Sequence, residues 1–147
     1  MLNRLRRFAP RSAFRRARPA AADRGASREI EELLSLARLS FVRVQDAWDR
    51  ADLCALSDLA TAPLLEDLRH QLALRGPGPN CTEVLQLDAR LLAMEELHEA
   101  FVASVEFSGL IREQQDHAAA PFRELWLLAN VKAAGCGWKL ARVQSLS

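Results

Sequence analysis

Apolar residues recur along the first third of the chain at alternating spacings of four and three: Ile30, Leu34, Ala37, Phe41, Val44 and Trp48. That rhythm puts them on one stripe of a helix of about five turns. Ser27, followed by Glu29, Glu31 and Glu32, supplies an N-cap and first-turn acids that suit the helix dipole. Thr61-Ala62-Pro63 opens a further helix that buries Leu64, Leu65, Leu68 and Leu72 and stops at Gly76. A short helical turn over 52–59 lies between the two. Gly76-Pro77-Gly78-Pro79-Asn80 is the sharpest break in the chain.

Beyond that break the period changes. Leu85, Leu87, Ala89 and Leu91 alternate with polar positions, and so do Phe101, Ala103, Val105 and Phe107. The run LDARLLAMEELHEAF has strong helix propensity, and Leu87, Leu91, Met94 and Phe101 also mark a helical face, so propensity and alternation compete there. Residues 122–131 and 138–146 supply two more strands, with AAGCG as the turn between them. The count favours α+β, with two or three helices ahead of a four-stranded antiparallel sheet.

Half of the 147 residues are hydrophobic, enough for one core. No window approaches the ~20 apolar residues of a membrane span, and the N-terminus lacks the apolar run of a secretory signal. Cys54, Cys81 and Cys136 form no CxxC pair and no metal-ligand spacing with His70, His98 or His117, so the expectation is packed, reduced thiols and neither a metal nor a cofactor.

Charge divides the chain. Residues 1–28 carry nine arginines against Asp23, a net of +8, while the other 119 residues carry a net of −7. The division is an arm over 1–27 and a folded domain over 28–147. An arm of arginine, alanine and proline cannot bury enough to fold by itself and is expected to be disordered. Arg4, Arg6, Arg7, Arg11, Arg15, Arg16 and Arg18 are its candidates for binding an anionic surface. RNA phosphates are a second partner for such an arm, and a removable organelle transit peptide is a third reading.

Five stretches occur in order: FVRVQDAW (41–48), ATAPLLEDL (60–68), ASVEFSGLIRE (103–113), PFRELW (121–126) and GWKLARVQ (137–144). Together they resemble the Tim-44-like domain, the C-terminal domain of the 44-kDa subunit of the mitochondrial inner-membrane import translocase, and are most similar to its proteobacterial members. The likeness covers roughly 30–147. It implies helices packed on a curved antiparallel sheet, the nuclear-transport-factor-2-like or cystatin-like cone, and assigns the ambiguous stretch to strand. Phe41, Gln45, Trp48, Phe107, Gly109, Glu124 and Trp138 then form the motif scaffold, with Gly109 letting the strand bend or another backbone come close. The ending LARVQS departs from the pattern expected of the family.

Residues 121–131 are apolar on both parities, so either this strand is covered on both sides or its outer face meets a partner. Phe122, Trp126 and Leu128 are the expected partner or homodimer face. Glu106, Glu124 and His98 are the candidate acids and bases if the cone held an enzyme; pairing of the carboxylates with Arg112, Arg123 or Arg142 is the ordinary account. The expectation is a non-enzymatic, membrane-peripheral binding or adaptor module that takes a protein or lipid at the cone and outer sheet. It would sit at the inner membrane of a bacterium, a source favoured by 18 arginines against 2 lysines. The alternatives are an RNA- or ribosome-associated module, a small-molecule enzyme, and residence in the mitochondrial matrix.

Overall fold

The computed structural model describes residues 24–75, 81–113 and 118–146. The seven arginines proposed for anionic surfaces and His117 lie outside them. Three helices come first: α1 (Arg24–Asp49), α2 (Leu53–Leu59) and α3 (Ala62–Arg75). Four strands follow: β1 (Glu83–Glu96), β2 (Ala100–Arg112), β3 (Ala120–Val131) and β4 (Trp138–Ser145). The strands form one antiparallel meander in the order β1-β2-β3-β4. Helices on a four-stranded antiparallel sheet make the α+β arrangement expected of a nuclear-transport-factor-2-like cone.

The helices form where the pattern placed them, with two differences. Helix α1 begins at Arg24, so Ser27 lies inside it and is not its cap. Its buried face is led by Leu33, with Ile30 and Leu34 only half-buried, and continues through Ala37, Phe41, Val44 and Trp48. Asp52 caps α2 by accepting the Ala55 N–H at 3.0 Å. Leu64, Leu68 and Leu72 bury one side of α3. The Thr61 N–H donates to the Leu140 carbonyl at 2.9 Å, which ties the start of α3 to the edge strand β4.

The helix-prone stretch 87–96 is strand. Pairing along nearly all of β2 satisfies its backbone and outweighs the local preference. Register shifts at Val84/Gln86 and Leu91/Ala93 in β1, and at Leu127/Leu128 against β4, bend the sheet where it meets the helices. Gly109 sits at a close approach: a Cβ there would stand 1.9 Å from the Gln86 carbonyl oxygen on β1. Glycine is therefore required for the two strands to lie together at this bend.

One aromatic cluster holds the two layers together. The Phe41 ring on α1 lies 4.8 Å from Phe107, 5.5 Å from Phe122 and 5.0 Å from Trp126, all on the sheet. Phe107 and Trp126 meet edge to face at 5.1 Å. This settles the parity of β3. Phe122, Trp126 and Leu128 point inward and are buried beneath α1 in the chain's own core. They are not a partner face, because Phe122 and Trp126 are held by Phe41.

Candidate functional site

Two regions gather chemistry: the sheet face turned away from the helices, and a cleft between α1 and β1. On the outer face the register places Val102, Ser104, Glu106 and Ser108 of β2 beside Arg123, Leu125, Leu127 and Ala129 of β3. Alternation accounts for the inward Phe107 and Trp126, but the outward residues of β3 are also apolar. Leu125 is buried, Leu127 and Ala129 are half-buried, and Val131 is exposed. Arg142 and Gln144 of β4 flank them.

Glu106 occupies the middle of this face. It accepts from Arg90 Nη2 at 3.3 Å and from Arg123 Nη2 at 3.0 Å, an ion ladder across β1, β2 and β3. Arg112 instead pairs with Glu83 at 3.1 Å. Glu124 lies on the opposite face, fully buried, where it accepts the Trp126 indole N–H at 3.0 Å. Since the two carboxylates lie on opposite faces of the sheet, they cannot act on one bound molecule. His98 stands exposed in the link between β1 and β2. The three residues weighed as acid or base are thus not brought together.

Cys54, Cys81 and Cys136 are all exposed, correcting the expectation of packed thiols. Each lies at a helix margin or in a link rather than on a buried stripe. Trp138 is half-buried and lines a groove of about 520 Å³ with Glu29, Leu33, Met94 and Phe101.

The cleft of about 620 Å³ lies between Val42, Gln45 and Asp49 of α1 and residues 82–87. Helical spacing sets those three on one flank of α1, since 42, 45 and 49 follow the i, i+3, i+7 rule. Asp49 braces the two elements: its carboxylate accepts the Thr82 N–H at 2.7 Å and the Thr82 hydroxyl at 3.0 Å. Burial pushes the Asp49 carboxyl above its ordinary value, against the bonds from Thr82 that pull it down. Gln45 is only 2% exposed. Among the described residues, neither Nε2 nor Oε1 of its carboxamide has a hydrogen-bond partner. In the sequence, Gln45 is marked as scaffold alone. Its signal was there: a polar residue between Phe41 and Trp48, on the buried side of an apolar stripe. Asp49 and Thr82 lie across the Gly-Pro break from one another, and nothing in the sequence links them.

Among the described residues, no helix is long and apolar enough to cross a membrane. No protein-family model and no curated protein matches the chain. Among solved structures, the chain is similar to a nuclear transport factor 2 (NTF2-like) superfamily protein from Salmonella enterica subsp. enterica serovar Typhimurium str. LT2. The identity is 12% and the TM-score 0.45, with 81% of this chain and 90% of that chain covered.

Proposed function

We propose that this chain is a non-enzymatic binding or adaptor module of the Tim-44-like kind, peripheral to the inner membrane of a bacterium. A protein partner or a second copy docks on the outer face of the sheet, and the arginine arm attaches the module to anionic lipid. The observation that carries the reading is the outward side of β3, where Leu127, Ala129 and Val131, beside the already buried Leu125, form an apolar strip on the face opposite the aromatic core. A sheet face meant only for water alternates to polar residues at such positions. Glu106 is held between two arginines, which makes it a fixed feature of that surface.

The membrane half of the reading is tested by co-flotation with cardiolipin-containing liposomes at low and high salt. The full chain is compared with a variant in which Arg4, Arg6, Arg7, Arg11, Arg15, Arg16 and Arg18 are glutamine. The full chain should float at low salt and be released at high salt, as screened arginine–lipid attraction requires. The variant should stay at the bottom. If neither protein floats, the membrane reading is wrong and binding of RNA becomes the question.

A further inference from the structure

The groove beside the first half of α1 is built from both layers of the fold. On α1, Glu29, Glu32 and Leu36 follow the i, i+3, i+7 rule and line one flank. On the sheet, Phe101, Asn130 and Trp138 are cross-strand neighbours in one row over β2, β3 and β4. Met94 extends the floor onto β1, and the volume is about 520 Å³. Phe101 already takes a cation: Lys132 Nζ stands 4.8 Å from its ring centre, and Glu96 holds that ammonium at 2.6 Å. Trp138 has no such partner. Among the described residues, no cation lies over its half-buried ring, and neither Glu29 nor Glu32 forms an ion pair. The groove therefore offers an apolar floor, an open aromatic ring and two uncommitted carboxylates. That combination suits arginine, whose planar guanidinium stacks on indole and pairs with carboxylate, next to an apolar side chain.

We infer that this groove is the docking place of the chain's own arm, with Phe14 on the apolar floor and Arg15 and Arg18 paired with Glu29 and Glu32 over Trp138. Charge singles out this occupant, since residues 1–23 hold seven arginines against Asp23 alone. Reach does so again. Helix α1 rises about 18 Å from Arg24 to Leu36, and the roughly ten residues between Phe14 and Arg24 span up to about 33 Å. Phe14 is the arm's aromatic nearest to α1, so it closes a shorter loop than Phe8 would. The tether supplies an effective concentration in the millimolar range, so weak rim pairs suffice. The consequence is competition. Arg15 and Arg18 are also among the arginines proposed for anionic lipid, and a docked arm withholds them from the membrane. Only this consequence rests on the adaptor reading; the docking itself does not.

The test follows the Trp138 indole N–H and the Met94 methyl by two-dimensional NMR of the full chain, without lipid. Arg15→Glu with Arg18→Glu, which alters no described residue, should shift both signals. The Trp126 indole N–H, buried and bonded to Glu124, should stay in place. Glu29→Arg with Glu32→Arg should shift the same two signals. Combining the reversals should bring them back towards their parent positions, a coupling that glutamates with a merely structural role do not produce. A Trp138 signal indifferent to the arm reversal, or shifts that do not return, overturns the docking. Competition is read by co-flotation with the same liposomes. Glu29→Gln with Glu32→Gln should raise partitioning about fivefold, one arginine's worth of attraction released. Asp58→Asn with Asp67→Asn makes the same charge change at exposed sites on α2 and α3 and should raise it far less. Equal gains from the two pairs overturn the competition. Coupled NMR shifts with no flotation of any variant uphold the docking and remove the membrane reading.

Discussion

At the scale of the residue, two positions show how a single atom governs the fold. A methyl group on Gly109 would lie 1.9 Å from the Gln86 carbonyl oxygen and 2.6 Å from its carbon, and neither belongs to a side chain that can swing away. The β1–β2 pair must separate to admit it. Gly109→Ala should therefore cost roughly 3 kcal/mol, the upper end of ordinary overpacking, read from the urea midpoint at unchanged slope. A loss under about 0.5 kcal/mol would mean the strands part freely at this bend. Asp49 works through charge. Its folded pKa is raised, so folding favours the protonated form; its stability contribution is intact below the ordinary value of 3.8 and is lost as pH rises through the raised one. Asparagine keeps an acceptor for the Thr82 N–H and a donor for its hydroxyl without ever ionising. Relative to the parent, Asp49→Asn should gain stability as pH rises above 3.8 and through the raised folded value. Parallel stability curves for the two proteins would show that Asp49 titrates alike folded and unfolded.

At the scale of the element, β3 decides which side chains the outer face offers to the proposed partner. Its inward set is fixed by Phe41, and that leaves Leu125, Leu127 and Ala129 outward. Leu127→Asp puts a charge in the middle of that strip without touching the aromatic cluster. Sedimentation velocity should show self-association of the parent weakened or lost in the variant, with stability changed by only about 1 kcal/mol. A monomeric parent would leave a heterologous protein as the occupant, and a variant that unfolds would show the strip to be structural. The strand itself was legible from the sequence as one of four; its orientation was not. Both parities of 121–131 are apolar, so a one-residue uncertainty exchanged the core for the surface. The same limit does not affect β2, where Phe107 and Val105 alternate with Glu106 and Ser104, and that alternation identifies the inward side. Helix α1 was legible to within a turn, because Phe41, Val44 and Trp48 repeat on one face. The role of Gln45 was not, since an apolar stripe tells which residues are buried and says nothing of whether a buried amide finds a partner. For 87–96, propensity points to helix and pairing makes a strand, a tertiary outcome that the alternation of Leu85 to Leu91 and the resemblance both foreshadow.

At the scale of the whole molecule, the separation of charge sets the terms of attachment. The first 28 residues carry +8 and the rest −7, so an anionic surface attracts one part of the chain and repels the other. On the proposed reading, attachment comes from the arm, and its strength from the number of arginines within reach. Such a field has no privileged member. Each arginine near the surface contributes about 1 kcal/mol, roughly a fivefold change in partitioning, and the contribution falls off within the Debye length of about 8 Å at physiological salt. Replacing Arg4, Arg7, Arg11 and Arg16 by glutamine one after another should therefore lower liposome partitioning in similar steps, whatever the order of replacement. The dependence of partitioning on salt should flatten with each step as fewer charges are screened. A loss concentrated in one position would describe something different: a single arginine reading one phosphate group in a defined site, with its neighbours as bystanders. Equal steps with a flattening salt slope are the outcome that an arm acting by charge alone requires, and they separate electrostatic attachment from recognition without any knowledge of the partner on the sheet.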